Sequence, residues 1–197
     1  KKFLLTSSGA VYGPQPPELT HLSEEHYSLN SEQRTANTEH RILKLESAYG
    51  EGKRQAENLG ANFATRHGIE MKIARCFAFV GPYLPLDTHF AIGNFIRDAL
   101  RGGPIQVNGD GTPFRSYLYA ADLAIWLWTI LLRGKNGRPY NVGSSRDLPI
   151  SKIAEAVNAA FDNRLQISTA QKPVMGSPAS RYVPDINRAE QELNLVE

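Results

Sequence analysis

Two short apolar runs, each ending in small residues, constrain the fold of this chain more than any other feature. The first, Phe3 to Thr6, leads into Ser7-Ser8-Gly9, and the second, Met71 to Phe79, leads into Gly81-Pro82. The first run is continuously apolar, as in parallel strands that are buried on both faces, and the second alternates before it turns fully apolar, so we interpret both as buried strands. The loops that follow such strands meet at one edge of the sheet, where α/β proteins place their functional residues. The pattern therefore predicts two parallel strands.

A helix is predicted between these two strands. From about Ser47 to His67, apolar and small residues recur at three- and four-residue steps, and Gly68 supplies a C-terminal stop. Parallel strands require a crossover of this kind. Residues 14–48 lack a sustained apolar period, and we interpret them as a surface excursion with one short helix.

Helices and strands continue to alternate after the second strand, which predicts an α/β fold throughout. Further helices are predicted at Ala91 to Leu100, after an N-cap at Asp122, and after an N-cap at Ser151. Short strands are predicted at Ile105 to Val107 and at Tyr140 to Val142, and residues 171–180 are predicted to form a loop.

Composition excludes several classes of function. The chain has 22 basic and 20 acidic residues with no long block of one charge, so no nucleic-acid partner is expected. Cys76 is the single cysteine and the five histidines show no ligand spacing, so we expect neither a disulfide nor a metal site. No apolar run reaches the roughly 18 residues that span a bilayer. These features favour a cytoplasmic protein with no membrane partner.

Tyr49 and Lys53 are the main candidates for chemistry. They are four residues apart, so on the predicted helix they share one face. A lysine ammonium beside a phenol stabilises the phenolate, which allows the tyrosine to act as a general base near neutral pH. The spacing alone is weak support, because a helix with one half-buried ring and one exposed lysine explains it equally well.

The residues around this pair resemble a known family. The strand before the helix ends in Ser7-Ser8-Gly9-Ala10-Val11-Tyr12-Gly13, and the helix is followed by Arg75-Cys76-Phe77-Ala78-Phe79-Val80-Gly81-Pro82. In order and spacing, these blocks resemble the nucleotide-sugar epimerases and dehydratases of the extended short-chain dehydrogenase/reductase family, over essentially the whole chain. The resemblance implies the carboxy-terminal part of a Rossmann-type doubly wound parallel sheet. Residues 1–82 would complete that catalytic domain, and residues 83–197 would form mainly a smaller α/β substrate-binding region, with some segments returning to the sheet.

The resemblance also implies a catalytic set and a cofactor. Tyr49 would be the catalytic base, and Lys53 its partner, which also holds the nicotinamide ribose. Ser8 would hydrogen-bond the reacting oxygen of the sugar. Ser7 and Cys76 would join Tyr49 and Lys53 in binding the cofactor, which is expected to be NAD rather than NADP.

Three further residues are implied to bind the diphosphate of a nucleoside-diphosphate sugar. Arg115, in the segment after Gly109-Asp110-Gly111, has a guanidinium suited to phosphate oxygens, although a surface arginine after a turn is the alternative. Asn94 is placed near a helix start, where an ordinary surface asparagine is an equal alternative. Arg181, ahead of Pro184-Asp185-Ile186, resembles a late arginine that closes on the same diphosphate.

Departures from the family pattern favour one reaction. The sugar 4,6-dehydratases carry an Asp-Glu pair where this chain has Gly9 and Ala10, and decarboxylases of sugar acids use a glutamate at the position of Ala10. Ala78 stands where relatives usually have an asparagine. Neither Gly9 nor Ala10 can transfer a proton, which favours an epimerase that oxidises C4 transiently and reduces it again. A 4,6-dehydratase similar to dTDP-glucose 4,6-dehydratase and a non-catalytic nucleotide-sugar-binding module remain as alternatives.

The Gly-rich turn that receives the pyrophosphate of NAD is absent from the sequence. Four βα units of about 30 residues each would place roughly 120 residues upstream. We therefore expect a missing amino-terminal half and an isolated chain that is inactive. By analogy with relatives, a homodimer is expected through the Tyr49 to His67 helix, whose outer face carries Asn58, Asn62 and Phe63.

Overall fold

The computed structural model describes residues 1–26, 45–88 and 90–197, together with their side chains except those of residues 45–47. Most of the predicted surface excursion, residues 27–44, lies outside the described residues. The α-helices within these ranges are α1 (Leu45–His67), α2 (Ala91–Leu100), α3 (Ala120–Arg133), α4 (Ile150–Ala159) and α5 (Asn187–Leu193). The strands are β1 (Lys2–Ser8), β2 (Glu70–Cys76), β3 (Phe79–Val80), β4 (Ile105–Val107), β5 (Phe114–Arg115), β6 (Leu118–Tyr119), β7 (Pro139–Val142), β8 (Leu148–Pro149), β9 (Ile167–Thr169) and β10 (Arg181–Tyr182).

The main sheet consists of three parallel strands in the order β1-β2-β7. Its register places Ser8 opposite Cys76 and Cys76 opposite Val142, so the three strands end at one edge. Helix α1 is the crossover from β1 to β2. Both strands and the crossover were predicted from sequence, and the α/β fold class is confirmed.

Helices cover both faces of this sheet. On one face, Ala64 of α1 packs on Met71 and Ile73 of β2. On the other face, Trp126 and Ile130 of α3 belong to a buried cluster that also includes residues of β2, β7 and α5. Residues 71–75 of β2 are buried, as predicted, whereas residues 2–6 of β1 are exposed or only partly buried, so the prediction of a buried first strand was wrong. The difference arises because β1 has a strand partner on one side alone among the described residues.

Residues of the second half of the chain build a separate apolar cluster. Helices α2 and α4 pack against β4, with Phe95, Ile105 and Ile153 among the buried side chains. A small sheet of order β10-β5-β8 brings residues 181–182 beside residues 114–115. Helices α3 and α5 pack against strands β2 and β7 of the main sheet. The domain boundary at residue 82 stays a prediction.

A buried ion pair joins β2 to α1. Both Arg75 and Glu57 are almost completely buried, and the guanidinium contacts both carboxylate oxygens, at 3.0 and 2.8 Å. Ser7 of β1 donates to the same carboxylate at 2.5 Å. The Tyr12 hydroxyl accepts from Arg75 at 3.1 Å and donates to Asn141 of β7 at 2.7 Å. The pair thus belongs to a hydrogen-bond network that reaches all three strands of the main sheet, with β7 connected through Tyr12.

Helix α1 approaches the chain after β1 very closely. The residues Gly9–Tyr12 form one turn of 3-10 helix. A Cβ added at Gly50 would lie only 2.3 Å from the carbonyl oxygen of Ala10. A side chain at this position is therefore excluded, and the glycine brings the amino-terminal part of α1 against the turn that follows Ser8.

Two predicted helix caps were wrong. Helix α3 has Tyr119 as its N-cap, and Asp122 lies in its first turn. Helix α4 has Pro149 as its N-cap, and Ser151 lies inside the helix. Each helix begins directly after a two-residue strand, β6 or β8, so the strand pairing sets the start. A carboxylate in the first turn still interacts favourably with the helix dipole.

No helix of the described ranges combines the length and the hydropathy that a membrane crossing requires.

Removing one partner of the buried pair is expected to destabilise the fold. Glu57→Ala leaves the Arg75 charge buried without its carboxylate, so we expect the free energy of unfolding to fall by about 3–5 kcal/mol. Glu155→Ala is the matched control, because Glu155 pairs with Lys152 on the surface of α4, where an ion pair contributes about 0–1 kcal/mol. Denaturant unfolding measures both variants, and equal losses would contradict the account.

Two glycines of α1 are expected to respond oppositely to alanine. Gly52→Ala meets no atom within 4 Å and should stabilise the helix by up to about 1 kcal/mol. Gly50→Ala places its methyl group against the Ala10 backbone, so it should lower the melting temperature in spite of the same gain in helix propensity. Thermal unfolding of the two variants gives the comparison, and a stabilised Gly50→Ala variant would show that the close approach does not exist.

Candidate active site

The candidate active site lies where β1 and β2 end. Parallel strands present their carboxyl ends at one edge of a sheet, and the loops there are the usual place for functional groups. Here that edge holds Ser8 and Cys76, which are opposite each other in register. The first turn of 3-10 helix begins immediately after Ser8, whose Oγ accepts a hydrogen bond from the Ala10 amide at 3.2 Å.

Tyr49 and Lys53 lie together on α1, as their spacing predicted. The Lys53 ammonium is 5.7 Å from the centre of the Tyr49 ring. It donates to the Thr6 carbonyl oxygen at 3.0 Å, which holds the lysine against the end of β1. The Tyr49 side chain is 59% exposed. The helix therefore presents an accessible phenol with a fixed positive charge beside it.

Ser8 is brought towards this pair by the close packing of α1. Gly50 lies against the backbone of Ala10, two residues after Ser8. This contact brings its neighbour Tyr49 close to the end of β1. Ser8 is 8% exposed. The structure thus places the three predicted catalytic residues, Ser8, Tyr49 and Lys53, around one edge of the sheet. Their catalytic roles stay predictions.

Tyr182 is a fourth polar group at this edge, and the sequence analysis missed it. Its hydroxyl lies 2.7 Å from the position that a Cβ at Gly9 would occupy. Ser8, Tyr49 and Arg115 all lie close enough to Tyr182 to affect its pKa. Burial raises the pKa of Tyr182 to about 12. A sequence signal existed, because Gly9 stands where dehydratases have an acid, and a glycine there leaves space for another group.

Ser7 and Cys76 were both predicted to contact the cofactor, but they have different surroundings. The Ser7 side chain is 3% exposed and its hydroxyl donates to Glu57, so its proton is used inside the protein. Cys76 is only partly buried and Lys53 is near enough to lower its pKa, although burial outweighs this effect and raises that pKa to about 11. Both assignments stay predictions.

Arg115 lines an apolar cavity of about 430 Å³ beside the catalytic edge. Burial lowers the pKa of Arg115, with Tyr117 and Tyr182 acting in the opposite direction. Ser116 also lines the cavity, and its buried hydroxyl has no hydrogen-bond partner within the described part of the chain. An unpaired buried hydroxyl is costly unless a ligand or water satisfies it. The remaining wall is mostly apolar and includes Val80, Ile92, Ile96, Leu148 and Phe161.

The other two predicted diphosphate ligands already contact protein groups. The Arg181 guanidinium pairs with the Asp147 carboxylate and stacks 3.8 Å from the centre of the Phe114 ring. Asn94 lies on α2, and its Oδ1 accepts from Arg97 at 3.0 Å. Arg181 is next to the site through the β10–β5 pairing, whereas the hydrogen bonds of Asn94, to Phe90 and Arg97, lie within α2 and its start. Both roles stay predictions.

No cluster of three or more His, Cys, Asp or Glu residues that could hold a metal ion lies within residues 1–26, 45–88 and 90–197.

Comparison with known proteins identifies the family. The sequence model of the NAD dependent epimerase/dehydratase family matches residues 1–143. UDP-glucuronic acid decarboxylase 1 of Arabidopsis thaliana is 33% identical over 193 residues, which are 98% of this chain and 41% of that protein. The chain therefore spans less than half the length of this relative.

Proteins with solved structures of the same fold include enzymes of different reactions. UDP-glucose 4-epimerase from Thermotoga maritima, determined with UDP-glucose, has a TM-score of 0.78 and 21% identity, and the match covers 99% of this chain and 58% of that one. dTDP-glucose 4,6-dehydratase from Bacillus anthracis, in complex with NAD, has a TM-score of 0.72 and 18% identity, and the match covers 98% of this chain and 55% of that one. At this identity the likeness shows the fold alone.

The residues of this chain fit one end of an NAD site. Lys53 offers an ammonium, and Tyr49 an exposed ring, at the carboxyl edge of a parallel sheet. The Gly-rich turn for the pyrophosphate is not among the 197 residues. From the family match, the parallel sheet and the paired Tyr49 and Lys53, we conclude that this chain belongs to the NAD-dependent epimerase/dehydratase family of extended short-chain dehydrogenases/reductases.

Proposed function

We propose that the protein containing this chain is a nucleotide-sugar epimerase that oxidises C4 of a nucleoside-diphosphate hexose transiently and then reduces it. The observation that carries the proposal is the placement of Tyr49 and Lys53 on one face of α1 beside Ser8. Lys53 is held by the Thr6 carbonyl and lies 5.7 Å from the Tyr49 ring. In the complete site, the Lys53 ammonium is proposed to stabilise the phenolate of Tyr49, which is what a general base requires.

Each residue of the set has a distinct task in the proposed reaction. The Tyr49 hydroxyl oxygen removes the proton from the C4 hydroxyl of the sugar, and Lys53 stabilises the phenolate. Ser8 donates a hydrogen bond to the same C4 oxygen. NAD, when bound, would accept the hydride from C4 and later return it to C4. The 4-keto sugar then rotates in the site so that its opposite face is reduced, and Tyr49 gives its proton back to the C4 oxygen.

The surroundings of Gly9 support an epimerase over a 4,6-dehydratase. Dehydration needs a side chain that moves the C5 proton and another that protonates the leaving C6 oxygen. A Cβ at residue 9 would lie 2.7 Å from both the Phe77 ring and the Tyr182 hydroxyl. An acid at this position would therefore displace the Phe77 ring and the Tyr182 hydroxyl. Ala10 is equally unable to transfer a proton.

We further propose that the cavity beside Arg115 binds the nucleotide part of the substrate. Its walls are apolar and suit a base and ribose, while Arg115 and the exposed Arg146 provide two guanidinium groups for phosphate oxygens. The unpaired Ser116 hydroxyl is a further polar contact for such a ligand. Arg181 and Asn94 are proposed to help bind the diphosphate. Each would then exchange a contact with a protein group for a contact with a phosphate oxygen.

The rest of the NAD site is proposed to come from an amino-terminal half outside these residues. Among the described strands, β1 lies at an edge of the main sheet. Next to it, α3 exposes large apolar side chains on one face, where Ile125, Trp128 and Leu132 are 58%, 64% and 56% exposed. Additional strands and helices of the same protein would cover both features. The chain alone is then expected to be inactive, and the cofactor is NAD rather than NADP.

Decarboxylation of a nucleotide-linked uronic acid is the second candidate, and it is favoured by the 33% identity to UDP-glucuronic acid decarboxylase 1 over 98% of this chain. Oxidation at C4 converts such a sugar into a β-keto acid, because the C6 carboxyl is attached to C5. A β-keto acid loses carbon dioxide with the ketone as electron acceptor, so cleavage itself does not need an acid at Ala10. The absent side chain affects only the protonation of C5.

A homodimer through α1 is also part of the proposal. The outer face of this helix exposes Asn58, Asn62, Phe63 and Leu59, and the two apolar residues are 57% and 68% exposed respectively. Large exposed apolar side chains on one helix face are typical of an interface. The proposed compartment is the cytoplasm, which agrees with the free thiol of Cys76.

A panel of nucleotide sugars separates the candidate functions. The whole protein is incubated with UDP-, dTDP-, CDP- and GDP-hexoses and with the corresponding uronic acids, and the products are analysed by mass spectrometry and NMR. We expect a product of unchanged mass with inverted configuration at C4. Loss of carbon dioxide would select the decarboxylase, loss of water the dehydratase, and saturable binding without turnover the binding module.

Tyr49→Phe is expected to abolish most of the turnover in the same assay. The variant keeps the ring but loses the oxygen that accepts the proton, so kcat should fall by about 10²–10⁴-fold. Substrate affinity should stay nearly unchanged, because the diphosphate contacts are elsewhere. Tyr83→Phe, at a fully exposed tyrosine, is the control and should keep normal kinetics. A fully active Tyr49→Phe variant would show that another group is the base.

A further inference from the structure

The Arg181 guanidinium has two protein partners at the edge of the proposed nucleotide site. It stacks on the Phe114 ring, 3.8 Å from the ring centre, and it pairs with the Asp147 carboxylate. The side chains of Arg181 and Asp147 are 22% and 18% exposed, so water screens this pair only in part. A carboxylate therefore occupies part of the guanidinium that is proposed to bind phosphate.

Asp147 reaches Arg181 across the small sheet. The strand order is β10-β5-β8, and Asp147 directly precedes β8, whereas Arg181 begins β10. The contact thus spans the central strand β5. In the sequence, Asp147 lies between Arg146 and Leu148, which both line the cavity. The Asp147 carboxylate is therefore next to the proposed binding site.

The backbone before Asp147 is fixed by hydrogen bonds. The amide and the hydroxyl of Ser145 both donate to Glu197 Oε1, at 3.0 and 2.8 Å. The Arg146 amide donates to Ser144 Oγ at 3.0 Å. Because these bonds hold the backbone of residues 144–146, a ligand that displaces the Asp147 carboxylate turns its side chain but leaves its negative charge close to the site.

The neighbouring Arg115 has a different environment. It donates to the carbonyl oxygens of Phe114 and Ser180, at 2.7 and 3.5 Å. Among the residues that the structure describes, no carboxylate pairs with it. An incoming anion can therefore contact Arg115 directly, whereas Arg181 must first lose its carboxylate partner.

We propose that Asp147 determines the affinity of the site by competing with the diphosphate for Arg181. In the empty protein, the carboxylate is the counter-ion of a guanidinium that is largely out of water. A bound diphosphate takes its place, and the nearby charge of Asp147 then repels the phosphate oxygens. The carboxylate therefore weakens the binding of the diphosphate. This inference rests on the proposed function, because it uses the proposed role of Arg181 in binding the diphosphate.

Equilibrium binding of UDP, dTDP, CDP and GDP to the whole protein, measured by calorimetry, tests the competition. Asp147→Asn keeps the size of the side chain but removes its charge. For the diphosphate that the wild type binds best, we expect the dissociation constant to fall by about three- to tenfold. The difference between the two proteins should shrink at high salt. An unchanged or larger dissociation constant in Asp147→Asn would overturn the inference.

Two control variants separate competition from a general effect of charge or packing. Asp147→Glu keeps the negative charge and should bind the diphosphate as weakly as the wild type does. Glu70→Gln removes one negative charge at the start of β2, at the opposite end of this strand from the candidate site, where Glu70 pairs with Lys72 at 3.0 Å. It should leave the dissociation constant unchanged. A gain in affinity in either control as large as that in Asp147→Asn would overturn the inference.

Thermal unfolding gives a second readout that does not depend on turnover. Without ligand, Asp147→Asn should melt below the wild type, because Arg181 loses its carboxylate. The same concentration of diphosphate should raise the melting temperature of the variant by more, since tighter binding stabilises the folded state further. A smaller rise would contradict the competition. A larger rise in a protein that converts no sugar would support the role of Asp147 and refute the proposed reaction, and a lack of binding to both proteins would overturn the inference.

Discussion

The ion pair between Arg75 and Glu57 is the interaction on which the rest of the structure depends. It lies almost completely out of water and connects β2 to α1. Ser7 and Tyr12 add hydrogen bonds that extend it to β1 and, through Asn141, to β7. Two charges taken out of water need this number of partners, because desolvation of each is expensive. The network fixes the position of α1 on the sheet, and Glu57 is one helical turn from Lys53.

The candidate site is therefore assembled by packing on two sides. On the first side, the ion pair sets the position of α1 and the Gly50 contact brings it against the turn after Ser8. On the second side, the small sheet of β10, β5 and β8 places Arg115 and Tyr182 at the same edge. Proton transfer and phosphate binding need groups held at defined distances. Here these groups come from segments that are far apart in sequence but fixed by strand pairing.

The sequence predicted the parts of this arrangement that depend on local pattern. The strands β1 and β2, the crossover helix and the Tyr49–Lys53 pair follow from apolar periodicity and from four-residue spacing. The caps at Asp122 and Ser151 were wrong because two-residue strands, which have almost no sequence signal, determine where α3 and α4 begin. Tyr182 was missed because its place at the site results from pairing between β10 and β5, in which Tyr182 lies opposite Arg115, 67 residues earlier in the sequence.

The central claim is that Tyr49, Lys53 and Ser8 serve a reaction in which hydride leaves C4 of a nucleotide-linked sugar and returns to it. A substrate deuterated at C4 tests this claim most directly in the whole protein. Because the hydride is held by the cofactor and never exchanges with water, the account predicts a product that retains its deuterium at C4, as measured by NMR. Release of the deuterium to water during turnover would contradict it.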